Sequence, residues 1–499
     1  MATGNRWLVL AIVSSALFLI VVDMTVLYTA LPRLTHDLAA SASQKLWIVN
    51  AYPLVVAGLL PGLGTLGDRL GHRRLFLSGL IVFGIASLCA AYSPTPEALI
   101  AARALLAVGA AMMMPATLSI IRLTFTDDDE RSFAIGIWAA VASGGAAFGP
   151  VIGGVMLEYF WWGSVFLINV PVVAVAFVLG YLMVPARRGD SSRKWDIVAS
   201  AQIMVALIAL AFAIKEAGRR EATWEAVVAG AVVGVVAMAL FVRRQRRSPA
   251  PLIDFSLFRI PRFSAGVATA MATAAALVGI ELILSQRLQL VLGYSPLQAG
   301  LLILPIPAAA FIAGPLAGLA LPKLGADRTL WLSLGVAGLG LALYIFSFGG
   351  AASIWLGALA VMGFGIGAAM TAASSTIMMS APESRAGMAA SVEEVSYELG
   401  GAIGVAMIGS LMSLVYTASL ALPQGLTGDM TVMDSLDEAL IAAELLPAGE
   451  AEILAALARS AFDNAYLAVA AMVTFLLLAT ALGVWAMTRN QAASRTTTT

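Results

Sequence analysis

Charge is what this sequence has least of. Of its 499 residues only 12% are Asp, Glu, Lys or Arg, 60% are apolar, and the mean hydropathy is +0.92. No soluble globular chain has that balance. Cys89 is the single cysteine, so an internal disulfide is excluded and cysteine usage says nothing about redox compartment. The two histidines, His36 and His72, fall in separate loops on opposite sides of the apolar blocks, which leaves a membrane-embedded enzyme without a metal or nucleophile constellation. No G-x-x-x-x-G-K-[ST] loop occurs, which argues against ATP as the energy source. A sensor or structural subunit would be expected to carry a sizeable soluble segment, and none is present.

What is there is a series of apolar blocks of about 20 residues, each long enough to cross about 30 Å of hydrocarbon as a helix. Windowed apolarity predicts fourteen spans, from 6–31 and 46–66 through 388–416 to 464–488, and hence an all-α polytopic membrane protein. The first block lacks a small-residue cleavage site and is read as a retained helix. Most of the 29 Lys and Arg sit in alternate loops, in DRLGHRR, RRGDSSRK and RRQRR among others, which places both termini in the cytoplasm. These basic clusters are topology signals and imply no nucleic-acid partner; the partner is the lipid bilayer.

The loop GTLGDRLGHRR (64–74) is echoed by GLALPKLGADR (318–328), with matches at Gly64/Gly318, Leu70/Leu324, Gly71/Gly325 and Arg74/Arg328. Each copy follows the second helix of a six-helix block, the pattern of parallel transporter repeats. That gives an N-terminal bundle at 1–190, an inserted helix pair at 191–247 and a C-terminal bundle at 248–499. The long segment 417–463 interrupts the short loops. Its stretches MDSLDEALIAAELL and GEAEILAALARSAF have helical spacing of apolar and acidic residues, predicting a hairpin of two short amphipathic helices at the extracellular mouth.

Several segments together resemble the major facilitator superfamily, and within it the 14-helix drug/proton antiporters of the quaternary-ammonium and methyl viologen type. GTLGDRLGHRR is similar to the family's loop between helices 2 and 3, VVDMTVLYTALP (21–32) to its first-helix signature and LIAARALLAVGAA (99–111) to its fourth. GAAFGPVIGG (145–154) is similar to the fifth-helix antiporter signature and LWIVNAYPL (46–54) to the second-helix one. Leu106 and Asn50 depart from the customary Gln and Asp. The resemblance implies a monomeric, proton-coupled exporter of lipophilic mono- and dications in a bacterial inner membrane: quaternary ammonium compounds, dyes, biguanide-like antiseptics. It would need no cofactor besides the H+ gradient and no metal. A symporter importing a small solute is the alternative, against which the antiporter signature and the clustered acids argue.

The residues carry physical reasons of their own. Asp23 lies deep in the first span, where a charge costs about 3 kcal/mol even on lenient scales, so it should face the bundle interior and exchange a proton for a cation. The alternative is an Asp near the outer interface, bonded to Thr25 or Thr29. Arg103 either snorkels or orders a polar cluster beside Asp23. In DRLGHRR, Gly71 allows a tight turn, Arg69, Arg73 and Arg74 anchor at the lipid surface, and Asp68 can pair with Arg or with a helix N-terminus. With Gly64, this loop is read as a gate stabilising an outward-open state, as the resemblance implies. Gly145, Gly149, Gly153 and Gly154 with Pro150 make a close-packing seam and a bend, which the resemblance makes a hinge.

The densest charge inside the apolar run is SVEEVSYELGG (391–401). Glu394 and Glu398 are four apart on one helical face, with Glu393 and Tyr397 on the next stripe. Two carboxylates on one face repel when ionised, so they suit exchange of H+ for an organic cation, with Tyr397 as an aromatic wall. The competing reading is a solvated helix start after Pro382 and Arg385. Glu281 is the remaining acid inside a span, either a counter-charge in the outer vestibule or a partner of Arg287. Trp47, Tyr52 and Met112 to Met114 are candidates to line an adaptable pocket alongside Asn50, although most such residues pack helices.

Overall fold

The computed structural model describes residues 6–40, 42–186, 189, 196–217, 223–248, 251–421 and 436–496. Among them are fourteen helical segments long and apolar enough to cross a membrane. In chain order the α-helices are α1 (Arg6–Asp37), α2 (Ala42–Leu70), α3 (His72–Ala91), α4 (Pro96–Thr124), α5 (Asp128–Tyr159), α6 (Ser164–Leu167) and α7 (Asn169–Met183). Then come α8 (Ile197–Ala217), α9 (Trp224–Arg247), α10 (Pro261–Gln286), α11 (Pro296–Ile303), α12 (Pro305–Leu324) and α13 (Ala326–Phe346). The last four are α14 (Ala352–Ser380), α15 (Ala386–Ser419), α16 (Leu436–Glu444) and α17 (Ala448–Thr496). Each of the pairs α6–α7 and α11–α12 forms one span with a local break, the second of them at Pro305.

Polar residues at the ends of the apolar runs start the helices. Thr95 accepts a bond from the Ala98 amide at 3.2 Å with Pro96 in the first turn, and Asp127 accepts from Asp129 and Glu130 at 3.1 and 2.9 Å. Ser295 and Gln298 form a reciprocal capping box on α11.

One hydrophobic core is built mainly from α1 to α7 and a second from α10 to α17; residues 377–392 of α14 and α15 join the first. The helices α8 and α9 pack on each other and lean on α2 and α15. The echoed loops share a backbone feature that sequence matching alone does not guarantee. Gly71 has φ 94 and ψ 129, and Gly325 has φ 81 and ψ 149, a region essentially reserved for glycine. Each glycine turns the chain between two consecutive spans with no room for a longer loop.

The segment 417–463 differs from the expected hairpin of two short helices. Of the two, only α16 is separate; the second amphipathic stretch is the first part of α17, which continues without interruption through its span. The reason lies in composition, because residues 450–482 contain neither Gly nor Pro, so nothing stops the helix between its amphipathic and its apolar part. Residues 422–435, which include the start of the first stretch, lie outside the described residues.

The GAAFGPVIGG segment runs along α1. A Cβ on Gly145 would stand 3.0 Å from Val21, and one on Gly149 would overlap the Thr25 hydroxyl and lie 2.8 Å from its Cβ, whereas one on Gly154 would meet nothing within 4 Å. Gly153 is buried, and α5 passes through Pro150 as one helix. The close approach therefore brackets Asp23, between Val21 and Thr25. Gly149→Ala is expected to cost about 1–3 kcal/mol by overpacking, while Gly154→Ala should be neutral or stabilising by up to about 1 kcal/mol from helix propensity. Thermal unfolding of the two purified variants, followed by fluorescence-detected size exclusion, checks this difference; equal shifts would contradict the seam.

Candidate functional site

Asp23 is completely buried, and five helices meet at its level. Arg103 of α4 donates from Nη1 to Asp23 Oδ2 at 2.8 Å and from Nε to the Ile48 carbonyl of α2 at 3.3 Å. Its guanidinium lies 4.7 Å from the ring centroid of Tyr52, also on α2. On the other side Asn169, at the start of α7, donates from Nδ2 to Asp23 Oδ1 at 3.1 Å and to Ser87 Oγ of α3 at 3.2 Å. Thr25 is turned elsewhere, its hydroxyl donating to the carbonyls of Val21 and Val22. Arg103 is 1% exposed and does not snorkel. A charge pair so placed is held only when its remaining lone pairs and protons are also satisfied, which is the part Asn169, Ile48 and Tyr52 play. Neither Asn169 nor Ser87 was found by sequence reasoning; the one available signal was a lone amide in the apolar run around NVPVVAVAF.

The acids of SVEEVSYELGG sit in a different setting. Glu393 and Glu394 are buried, so α15 does not begin as a solvated end at that level. Glu393 Oε1 accepts a bond from the Ser374 hydroxyl of α14, and Tyr397 donates to the Met370 carbonyl at 3.4 Å. Glu393 Oε2 and Glu394 Oε1 are buried with no hydrogen-bond partner, and neither acid has an ion-pair partner among the described residues. Glu398 is half-buried and within electrostatic reach of Glu394 and of Tyr52. Tyr52 lies under the Arg103 guanidinium on α2, the helix of the Asp23 cluster that also packs against α15. No group of three or more His, Cys, Asp or Glu among the described residues is arranged to hold a metal ion.

A third set of contacts joins the α2–α3 turn to the start of α15. Asp68, near the end of α2, accepts from the backbone amides of Gly387 and Met388 at 2.9 and 3.3 Å, and its Oδ1 is 3.2 Å from His72 Nε2. Arg385, the residue before α15, offers no side-chain cap, so the first amides of that helix are capped by a residue from α2. Arg122 of α4 donates to the carbonyl of Ala381, just past the end of α14. An anion on a helix N-terminus and a cation at a helix C-terminus thus clasp the α14–α15 turn. Gly64 makes the approach possible, because a Cβ there would overlap the Ser391 hydroxyl and the Gly387 carbonyl. Ser391 itself donates to the Leu60 carbonyl at 2.8 Å.

Comparison with known proteins agrees with this architecture. Residues 13–405 match the Major Facilitator Superfamily. The chain is 39% identical over 492 residues to the methyl viologen resistance protein SmvA of Salmonella typhimurium, covering 96% of this chain and 98% of that one. It is 38% identical over 480 residues to the multidrug efflux pump LfrA of Mycolicibacterium smegmatis, covering 96% and 95%. Among solved structures, the human organic anion transporter MFSD10 superposes with a TM-score of 0.62 at 14% identity, covering 96% of this chain and 100% of that one, which shows a shared fold. The chain belongs to the major facilitator superfamily. It is a multi-pass membrane transporter, not an enzyme.

For a facilitator-superfamily transporter, the remaining candidate residues distribute unevenly. Trp47 is exposed and stacks on Phe212 of α8, with centroids 6.5 Å apart, so it packs the α8–α9 pair instead of joining the Asp23 cluster. Tyr52 is fully buried under Arg103, and Met113 packs beside Gly79 of α3, so neither offers an open pocket wall. Asn50 is half-buried on α2. Glu281 is half-buried and does not pair with Arg287. That arginine is taken by Asp463 at 2.7 Å and lies 4.2 and 5.5 Å from the rings of Phe348 and Tyr466, tying α17 to α10. In the loop, Arg73 donates to the Tyr181 carbonyl with its guanidinium 5.1 Å from that ring, Arg74 is exposed and Arg69 is half-buried.

The clasp generates a direct test. Asp68→Asn removes the anion but leaves a group of the same shape. Exchange of the Gly387 and Met388 amides should then speed up by about tenfold, the equivalent of about 1.4 kcal/mol, a typical cap contribution. Hydrogen–deuterium exchange of peptides spanning 383–392 reads this; unchanged protection would show that Asp68 does not hold the helix start.

Proposed function

We propose that this transporter exports lipophilic organic mono- and dications from the cytoplasm in exchange for protons, across a bacterial inner membrane and with both termini cytoplasmic. The observation that carries the reading is the pairing of two unlike carboxyl sites at one seam. Asp23 is matched by a cation, whereas Glu393 and Glu394 are buried without one. A carboxylate buried with no cation costs several kcal/mol, so such a site holds either a proton or a substrate cation, which is the exchange an antiporter performs. The relatives named for drug efflux and for methyl viologen resistance support the direction and the substrate class.

In this cycle a cation in the cleft takes the place of a proton at Glu394 and Glu398, with Tyr397 supplying an aromatic face. Asp23 gains and loses a second proton while Arg103 stays charged beside it. With the Asp68 end clasped, the cleft faces outward, the substrate leaves and protons from outside reload both sites. The bundles at 1–190 and 248–499 rock about the fixed seam, with 191–247 as an added pair. The electrical balance gives each site a purpose. Moving one net positive charge outward against 100 mV costs about 2.3 kcal/mol, so exporting a dication for one proton opposes the potential and a second protonatable site removes that cost.

Two experiments in proteoliposomes decide the reading. Asp23→Asn should abolish pH-driven export of every cation while membrane insertion is kept, and retained export would remove Asp23 from the cycle. Glu394→Gln or Glu398→Gln should reduce export of a dication by tenfold or more while a monovalent dye, exchanged one for one, falls less than threefold. Equal effects on both substrates would assign the α15 acids to structure and leave the charge argument without support.

A further inference from the structure

The Asn169 amide has more polar capacity than the present arrangement uses. Its Nδ2 sits between two acceptors, Asp23 Oδ1 at 3.1 Å and Ser87 Oγ at 3.2 Å, while its own Oδ1 is buried with no donor at all. The residue is 0% exposed, so water does not supply the missing partner from outside. An orphaned buried oxygen of this kind is costly enough to need a reason. An amide presents a donor and an acceptor of nearly the same shape, exchanged by a half turn about its terminal torsion.

We infer that Asn169 is a positioning residue that partners Asp23 in both of its protonation states, donating to the carboxylate and, after a half turn, accepting from the acid. The inference rests on the reading of Asp23 as a proton carrier. When a proton arrives, an O–H bond forms on Asp23 Oδ1, and a donor facing that oxygen would then oppose another donor. Turning the amide brings Asn169 Oδ1 to the same place, where it accepts from Asp23 O–H and from the Ser87 hydroxyl. The NH2 group then occupies the position without a partner. One end of the amide is without a partner in either state, and the proton arriving or leaving decides which end it is. The charged and titratable groups around Asp23 are Arg103 from α4 and Tyr52 from α2, with Glu398 of α15 acting on Tyr52. The guanidinium only donates, and Tyr52 meets it through the ring face, so neither takes the place of the amide.

The test separates proton handling from packing. Asn169→Leu keeps the volume and removes both functions; Asn169→Thr keeps a hydroxyl that can donate or accept. In proteoliposomes of the full chain, proton-driven export of a fluorescent monovalent cation should fall at least tenfold in Asn169→Leu. Cation-for-cation exchange, which needs no change in protonation, should stay within twofold. Asn169→Thr should show the same split with a smaller loss, about threefold, and it carries the test if the leucine variant does not insert. A parallel fall of export and exchange in both Asn169 variants, or unchanged export in both, overturns the inference. Asp23→Asn measured alongside keeps the two levels apart: if it still exports on a pH gradient, the reading of Asp23 has failed, whatever the Asn169 variants do.

Discussion

A charge within the apolar span of a membrane helix has to be matched, and this structure is organised around the place where it matches one. The Asp23–Arg103 contact at 2.8 Å joins α1 to α4, the remaining polar atoms of the pair find partners on α2 and α7, and Ser87 of α3 takes the second bond of the Asn169 amide. The glycines of α5 follow from the same constraint. Gly145 and Gly149 let α5 lie against α1 on both sides of Asp23, which shuts that flank with backbone in place of side chains. Packing there serves the polar cluster; it is not a separate design.

The two large cores treat acid differently. In the first, the buried carboxylate has a guanidinium, an amide and an aromatic ring around it. In the second, Glu393 has one hydroxyl from Ser374, and Glu394 keeps an oxygen with no partner. Neither nearby arginine serves: Arg262 at the start of α10 pairs with Asp327 at 2.6 Å, and Arg287 just past its end pairs with Asp463 at 2.7 Å beside the Phe348 and Tyr466 rings. The echoed loops repeat this inequality on a smaller scale. Gly71 and Gly325 share the same unusual backbone, yet the position of Asp68 is taken by Pro322 in the second copy, so at that position only the first loop offers a carboxylate to a helix start.

Span number and the burial of the acid cluster within the helical fold were legible in the sequence because hydropathy and charge are properties of single residues summed over a window. The Asp68 helix cap was legible as one of two options, since a carboxylate beside a glycine turn suits either an arginine or a helix start. What pairwise geometry decides was not legible. Asn169 and Ser374 look like ordinary polar residues in small-residue runs, and only the fold reveals that each faces a carboxylate. Trp47 reads as a cation-binding aromatic, but α8 arrives beside it and Phe212 takes its face. The continuity of α17 escaped for a different reason. The change from amphipathic to apolar pattern looks like a boundary, whereas a helix ends only where its backbone is stopped, and no Gly or Pro stops this one between 450 and 482.

The clasp and the acid cluster share one element, which sets how strongly they can influence each other. Gly387 and Met388, capped by Asp68, stand about 10 Å along α15 from Glu394 at about 1.5 Å per residue. A straight helix carries a displacement over that distance without loss, so parting the clasp moves the acids and moving the acids strains the clasp. The magnitudes are commensurate. A helix cap contributes about 1 kcal/mol and a charged acceptor on backbone amides about 1.5–3. One charge crossing 100 mV releases about 2.3 kcal/mol. A much stronger lock, such as a fully buried ion pair whose breaking costs about 3–5 kcal/mol, would outlast such a drive. Asp68 meets backbone amides and a neighbouring histidine, not an arginine, which keeps this contact within the range that one charge crossing the membrane can offset.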